Sequence, residues 1–144
     1  MTNLILNEDN LINDANISKL KKLLSNKNKN NIILLNYASW CGHCNVFKPE
    51  WESLKIDKKL KKTLFVEIES SALNKINSID KNLYNKLIPI NKSLYFPMIL
   101  MYFKNKENNK ISKTLYSGVN NKIAIEEFLL KKLAKKGGKA KVEN

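Results

Sequence analysis

Arginine is absent from this 144-residue chain; histidine occurs once, cysteine twice, proline three times and glycine four times. Each shortage excludes something. Two cysteines cannot build the disulfide framework of a small secreted module, and with one histidine they cannot fill a structural zinc site within a single chain. The longest apolar run, Leu94 to Phe103, is ten residues with Pro97 inside it, whereas a membrane span needs about 20. Proteins that read nucleic acid lean on the planar arginine fork for bases and phosphates, so the formal net charge of +13 reads here as a solvated lysine surface and not as a specific nucleic-acid interface. All 26 basic side chains are lysine, and 22 asparagines and 15 isoleucines complete the mix that AT-rich codons give. The excess is uneven, 11 lysines against 8 acids in residues 1–72 and 15 against 5 in residues 73–144. That asymmetry leaves a weaker alternative, an RNA- or membrane-surface binder that uses the lysines near the end of the chain.

The length suits one domain, large enough to hold a core without a staple. At the N-terminus there is no basic region, and the short apolar stretch Leu4-Ile5-Leu6 meets Glu8 and Asp9 at once, unlike a secretory signal. The chain ends Lys-Val-Glu-Asn, without a retention signal. The expected location is therefore the cytoplasm, or a virion if the chain is virus-encoded.

Leu4 to Leu6 reads as a short strand. Ile17, Leu20, Leu23 and Leu24 recur at helical spacing, with Asp14 and Asn16 as candidate caps, so a helix is expected to run to about Ser25. Asn26–Asn31 reads as a loop, and Ile32-Ile33-Leu34-Leu35 as a strand buried on both faces. After Ala38-Ser39-Trp40-Cys41-Gly42-His43-Cys44, a second helical pattern passes through Val46, Phe47, Trp51 and Leu54, with Pro49 inside it as an expected kink. Leu64 to Ile68 is strand-like; Ser71 to Tyr95 reads as helical in its first half and irregular after Pro89. Met98 to Phe103 and Ser112 to Tyr116 form a strand pair around a turn, and a last amphipathic helix carries Ile125, Phe128, Leu129 and Leu133. The division is one domain over 1–134 and a loose basic tail over 135–144.

Two cysteines separated by two residues, opening a helix after a buried strand, carry the chemistry. A helix N-terminus offers unsatisfied N–H groups and partial positive charge, both of which favour thiolate over thiol. A free thiol with a pKa of about 8.5 is only about 3% thiolate at pH 7, and sites of this kind reach about 3.5 to 7. A drop from about 8.5 to about 5 corresponds to roughly 4.8 kcal/mol in favour of the thiolate. Cys41, at the exposed first position, is the expected nucleophile; Cys44, one turn deeper, is the expected resolver of a mixed disulfide. His43 lies between them and is placed to favour the Cys41 thiolate by charge or hydrogen bond. A chance surface histidine, a pair of inert buried thiols, and a zinc or cluster shared across a dimer are the competing readings, the last lacking further ligands.

Trp40-Cys41-Gly42-His43-Cys44 resembles the active-site motif of protein disulfide isomerase domains within the thioredoxin superfamily. The similarity extends over about residues 4–134. Tyr37-Ala38-Ser39 resembles the family's aromatic-Ala-x-Trp approach, Pro49 its active-site helix proline, Phe96-Pro97 its cis-proline, and Gly118 the glycine before its last helix. The resemblance implies an α/β thioredoxin fold, a central mixed sheet with helices on both faces. It also implies catalysis by Cys41 and Cys44 with His43, substrate contacts by Trp40, Gly42, Phe96 and Pro97, and no metal. The dithiol is itself the redox group, so no separate cofactor is expected. Partners would be protein or peptide thiols and disulfides, with a second redox protein to recharge the pair.

Several positions depart from the family. The buried acid usual six residues before the first cysteine is Leu35; Asn36 follows it, but an amide does not titrate. Asn45 replaces a frequent lysine, Met98 a frequent threonine, and Val119 a tuning arginine. The spacing from Cys44 to Pro97 implies an insertion within about 74–95. The first thiolate attack should survive these changes, while resolution by Cys44 should be slow and rise with pH unless another base, Glu67 or Glu69, takes the missing acid's place. The leading reading is a thiol–disulfide oxidoreductase; the alternative is a thioredoxin-like module that binds an extended segment beside Pro97 with little or no redox turnover.

Overall fold

A computed structural model describes residues 3–7, 13–25, 31–105, 107–108 and 110–136. In chain order the elements are β1 (Leu4–Leu6), α1 (Asp14–Leu23), β2 (Asn31–Tyr37), α2 (Gly42–Lys55), a 3-10 turn (Lys58–Leu60), β3 (Thr63–Glu69), α3 (Ser70–Ile79), α4 (Lys81–Lys86), β4 (Met98–Lys104), β5 (Ile111–Tyr116) and α5 (Lys122–Lys136). The five strands form one sheet in the order β1-β3-β2-β4-β5. The first three are mutually parallel and the β2–β4 and β4–β5 pairs antiparallel. This is the thioredoxin fold.

Period-2 alternation sorts the central strands between two cores. Ile32 and Leu34 of β2, Leu64 and Val66 of β3, and Leu100 and Tyr102 of β4 pack with Leu20, Leu73, Ile76 and Leu83 from α1, α3 and α4. Ile33 and Leu35, Phe65, and Ile99, Met101 and Phe103 pack instead with Phe47, Trp51 and Leu54 of α2 and Ile125 and Leu129 of α5. Both sheet faces are therefore covered, which is why β2 and β4 read as continuous apolar runs.

The structure adjusts several expected boundaries. The cap of α1 is Asn13, one residue before Asp14 and three before Asn16, the expected candidates, and its side chain accepts the Asn16 N–H at 2.9 Å. Strand β2 starts at Asn31; residues 26–30 of the expected loop lie outside the described residues. The helical pattern after Ser71 is two helices. Asp80, extended at φ −154°, ends α3 and caps α4 by accepting the Leu83 N–H at 3.0 Å. Helix α2 runs unbroken through Pro49, and α5 continues to Lys136, while the rest of the expected tail, 137–144, lies outside the described residues.

The segment after α4 has no regular structure before β4, yet it is clamped. Four carbonyls at the end of this short helix and just beyond it need donors, and the sheet supplies them. Asn36 donates to the Leu87 carbonyl at 3.0 Å and Tyr102 to that of Lys86 at 2.6 Å. The Lys113 ammonium donates to the Asn85 and Ile88 carbonyls at 2.9 and 2.5 Å. A cation at a helix C-terminus complements its dipole; burial pulls the Lys113 pKa below the usual lysine value. These bonds fix the route by which the chain returns to Phe96 and Pro97.

Gly118 follows β5 where a side chain has no room. A Cβ there would lie 2.6 Å from the Tyr116 hydroxyl. That phenol cannot swing aside freely, because it donates to the Val119 carbonyl at 2.5 Å and its ring meets Phe128 edge-on at 5.2 Å. Gly118→Ala should therefore destabilise the fold by about 1–3 kcal/mol, as overpacking does. Equilibrium urea unfolding checks this; a midpoint equal to that of the parent chain would contradict it.

Candidate active site

The site forms where β2 gives way to α2. Directly after β2 a turn closes with the Cys41 N–H donating to the Ala38 carbonyl at 3.1 Å. Cys41 then caps α2: its backbone is extended (φ −88°, ψ 114°) and its Sγ accepts the Cys44 N–H at 3.1 Å. The first N–H groups of a helix lack intrahelical acceptors, and here a sulfur answers one of them. The same sulfur lies 3.5 Å from the Phe96 carbonyl, to which its S–H donates. The Phe96–Pro97 peptide is cis.

Both thiols are free and buried, Cys41 at 6% and Cys44 at 8% exposure, in a small cluster with Ala38, Tyr37 and Phe96, so Cys41 is not the exposed sulfur expected from its place at the start of the helix. Burial pushes the Cys44 thiol up to about 12, and its hydrogen bond to Cys41 adds to the rise. Cys44 is thus a strongly held proton directly beside the Cys41 sulfur.

The other residues singled out from sequence fall around this pair. Trp40 is 74% exposed, its ring edge-on to Phe96 at 5.9 Å. Gly42 is exposed, and a Cβ there would meet open space, so packing does not demand glycine at that position. His43 is exposed on the first turn of α2 and hydrogen-bonds to neither sulfur among the described residues; its expected hydrogen bond to Cys41 is not made. Pro97 and Cys44 share the wall of a cavity of about 240 Å³ under the start of α2, with Leu35, Tyr37, Trp51 and Glu67.

Glu67 was only a suspect in the sequence, and its register partner across β2–β3 is Leu35. Its side chain is 12% exposed, and Oε2 accepts Trp51 Nε1–H at 2.8 Å and the Lys55 ammonium at 2.6 Å. Burial pulls Lys55 down, but the Glu67 hydrogen bond and charge outweigh it and leave its pKa above the usual lysine value. Tyr37 is pushed up by burial and then by the charges of Glu67 and Glu69. Glu69 itself accepts from the Ser71 hydroxyl. Pairing of positions 35 and 67 depends on strand register, so the sequence could name Glu67 but could not place it. Among the described residues no group of three His, Cys, Asp or Glu side chains could hold a metal, and no helix is long and apolar enough to cross a membrane.

The Thioredoxin family model matches residues 12–131. Protein disulfide isomerase-like 2-3 of Oryza sativa subsp. japonica is 30% identical over 120 residues, which is 83% of this chain but only 23% of that protein. Among solved structures, the Trx4 domain of ERdj5 superposes with a TM-score of 0.61 at 18% identity, covering 91% of this chain and 95% of that one. Fasciola hepatica thioredoxin gives 0.51 at 19% identity, covering 81% and 91%. At these identities the likeness is one of fold.

Burial of Cys44 has a spectroscopic consequence. The 13Cβ shift of Cys44 in the reduced protein should show no inflection between pH 5 and 10. An inflection below pH 10 would contradict the geometry. The sign for stability follows: a thiol that holds its proton more tightly when folded contributes stability that is complete below the ordinary value of 9.0 and is lost as pH rises toward about 12.

Proposed function

The chain belongs to the thioredoxin family and resembles its protein disulfide isomerase-type domains, and on that premise we propose that it is a thiol–disulfide oxidoreductase acting on protein or peptide cysteines through Cys41 and Cys44. The observation that carries this reading is the Cys41 sulfur at the cap of α2, bonded to the Cys44 N–H, with the Cys44 thiol buried against it. In one direction, the Cys41 thiolate attacks a substrate disulfide and expels one substrate sulfur as thiolate. The resulting mixed disulfide is attacked at the Cys41 sulfur by Cys44, which closes the Cys41–Cys44 disulfide and releases the second substrate sulfur. The reverse sequence oxidises a substrate dithiol. The amide that bonds the Cys41 sulfur is positioned to hold the negative charge this sulfur carries as nucleophile and as leaving group.

The surroundings fit an extended protein segment. Trp40 offers exposed aromatic surface with the partly buried Phe96 ring edge-on to it, and Pro97 lines the same cavity as Cys44. Gly42 keeps the approach open. The two sulfurs carry both electrons, so no separate cofactor is required. His43 is exposed and makes no hydrogen bond to either sulfur among the described residues, so the cycle proposed here runs on the two cysteines.

Cys41→Ser should abolish disulfide exchange with a scrambled protein substrate. Cys44→Ser should still attack but accumulate mixed disulfides, which thiol quenching and non-reducing electrophoresis would capture. Mixed disulfides that form through Cys44 in Cys41→Ser would overturn the assignment of roles, and no exchange by the unmodified chain would favour a binding module.

A further inference from the structure

The proposed cycle leaves a proton without a destination. Cys44 must lose it before attacking the mixed disulfide, yet burial holds that proton against solvent at neutral pH. The remedy has to come from the cavity that Cys44 lines. Of the groups on its wall, Lys48 is a cation and cannot accept, Tyr37 holds its own proton more tightly than an ordinary phenol, and Ser39 and Asn45 are not bases near neutrality. Glu67 is the one carboxylate among these lining residues.

We propose that Glu67 takes the Cys44 proton during resolution, through water in the cavity that both side chains line. This rests on the oxidoreductase reading of the same site. The geometry favours it in three ways. Strand register sets Glu67 beside Leu35, on the sheet face that α2 covers. Trp51 Nε1–H and the Lys55 ammonium both bond Oε2 and hold the carboxylate in place, while Oε1 makes no hydrogen bond among the described residues. A cavity of about 240 Å³ has room for several waters, each of which takes about 30 Å³. The charged and titratable groups around Glu67 are Cys44, Lys48 and Lys55 from α2, with Glu52 behind Lys55, Tyr37 from β2, and Glu69 two residues along its own strand. Glu69 is engaged by Ser71 and is not on the cavity wall.

The step balances. The Cys44 S–H proton passes through water to the Glu67 carboxylate as the Cys44 sulfur attacks Cys41. The Cys41–Cys44 bond forms, and the bond from Cys41 to the substrate sulfur breaks. The substrate leaves with the electron pair as thiolate and is protonated by solvent, to which Glu67 later returns its proton. The dithiol is oxidised and the substrate disulfide reduced.

The test is single-turnover resolution of a preformed mixed disulfide at Cys41, followed from pH 6 to 9. In the unmodified chain the rate should be nearly flat from pH 6 to 8, because the proton has an acceptor within the cavity and does not depend on hydroxide from solvent. A tenfold rise per pH unit would overturn the proposal without any variant. Glu67→Gln should slow resolution on the order of 100-fold at pH 7, the lower end of what a positioned base supplies, and should impose that tenfold slope. Formation of the mixed disulfide by Cys41 should stay within about threefold of the parent, which controls for folding. Leu35→Glu in the Glu67→Gln background returns a carboxylate to the same cavity wall and should recover the rate; a merely structural loss would not be recovered. Glu67→Gln that resolves as fast as the parent overturns Glu67 alone, whereas failure of Cys41 to form any mixed disulfide overturns the oxidoreductase reading beneath it.

Discussion

One hydrogen bond organises this molecule's chemistry, the Cys44 N–H donating to the Cys41 sulfur at 3.1 Å. A helix must satisfy its first N–H groups, and serine, threonine or aspartate usually does so. Here sulfur stands in the capping position, so the Cys41 sulfur is fixed by the same bond that starts α2. The sulfur stays in place because β2, buried on both faces, delivers the chain to that turn and because α2 is anchored below by Phe47, Trp51 and Leu54. The loop bearing Phe96 and Pro97 reaches the sulfur from the other side. The clamp of Asn36, Tyr102 and Lys113 on the carbonyls at and after the end of α4 sets the start of that loop.

Much of this was legible in the sequence. The runs Ile32–Leu35 and Met98–Phe103 are strands that must bury both faces, and they pair with each other at the centre of the sheet. The Cys41–Cys44 spacing after a strand located the site. What stayed hidden required tertiary context. The period through Ser71–Leu87 is continuous enough to read as one helix, and only the local bond from the Leu83 N–H to the Asp80 carboxylate, with Lys21 paired to Asp80 at 2.9 Å, reveals the break. The Lys113 clamp joins residues 25 and 28 positions apart in sequence. Glu67 lies 32 positions from Leu35, and nothing local announces that they share a wall.

Leu35 and Glu67 are register partners on neighbouring strands and line the same cavity beneath the start of α2. Adjacent parallel strands put register partners about 5 Å apart, so a carboxylate absent from β2 can be supplied by β3 to the same space. Its counter-charge comes from Lys55 on the helix above, and Trp51 contributes a hydrogen bond as well as packing edge-on against Phe65 at 5.3 Å. The polar cluster beneath Cys44 is thereby tied into the apolar core that holds α2 on the sheet.

The central claim is that Cys41 and Cys44 form a reversible redox pair whose reduced state is stabilised by the hydrogen bonds at the cap of α2. Stabilising the dithiol makes the disulfide the stronger oxidant, so the potential should lie nearer that of protein disulfide isomerase, about −180 mV, than that of thioredoxin, about −270 mV. Equilibration against glutathione buffers of known ratio, with the dithiol and disulfide forms counted after acid quenching, measures it directly. A value near −180 mV is the predicted result; a value below about −250 mV, or no reversible disulfide between the two cysteines, would contradict the account.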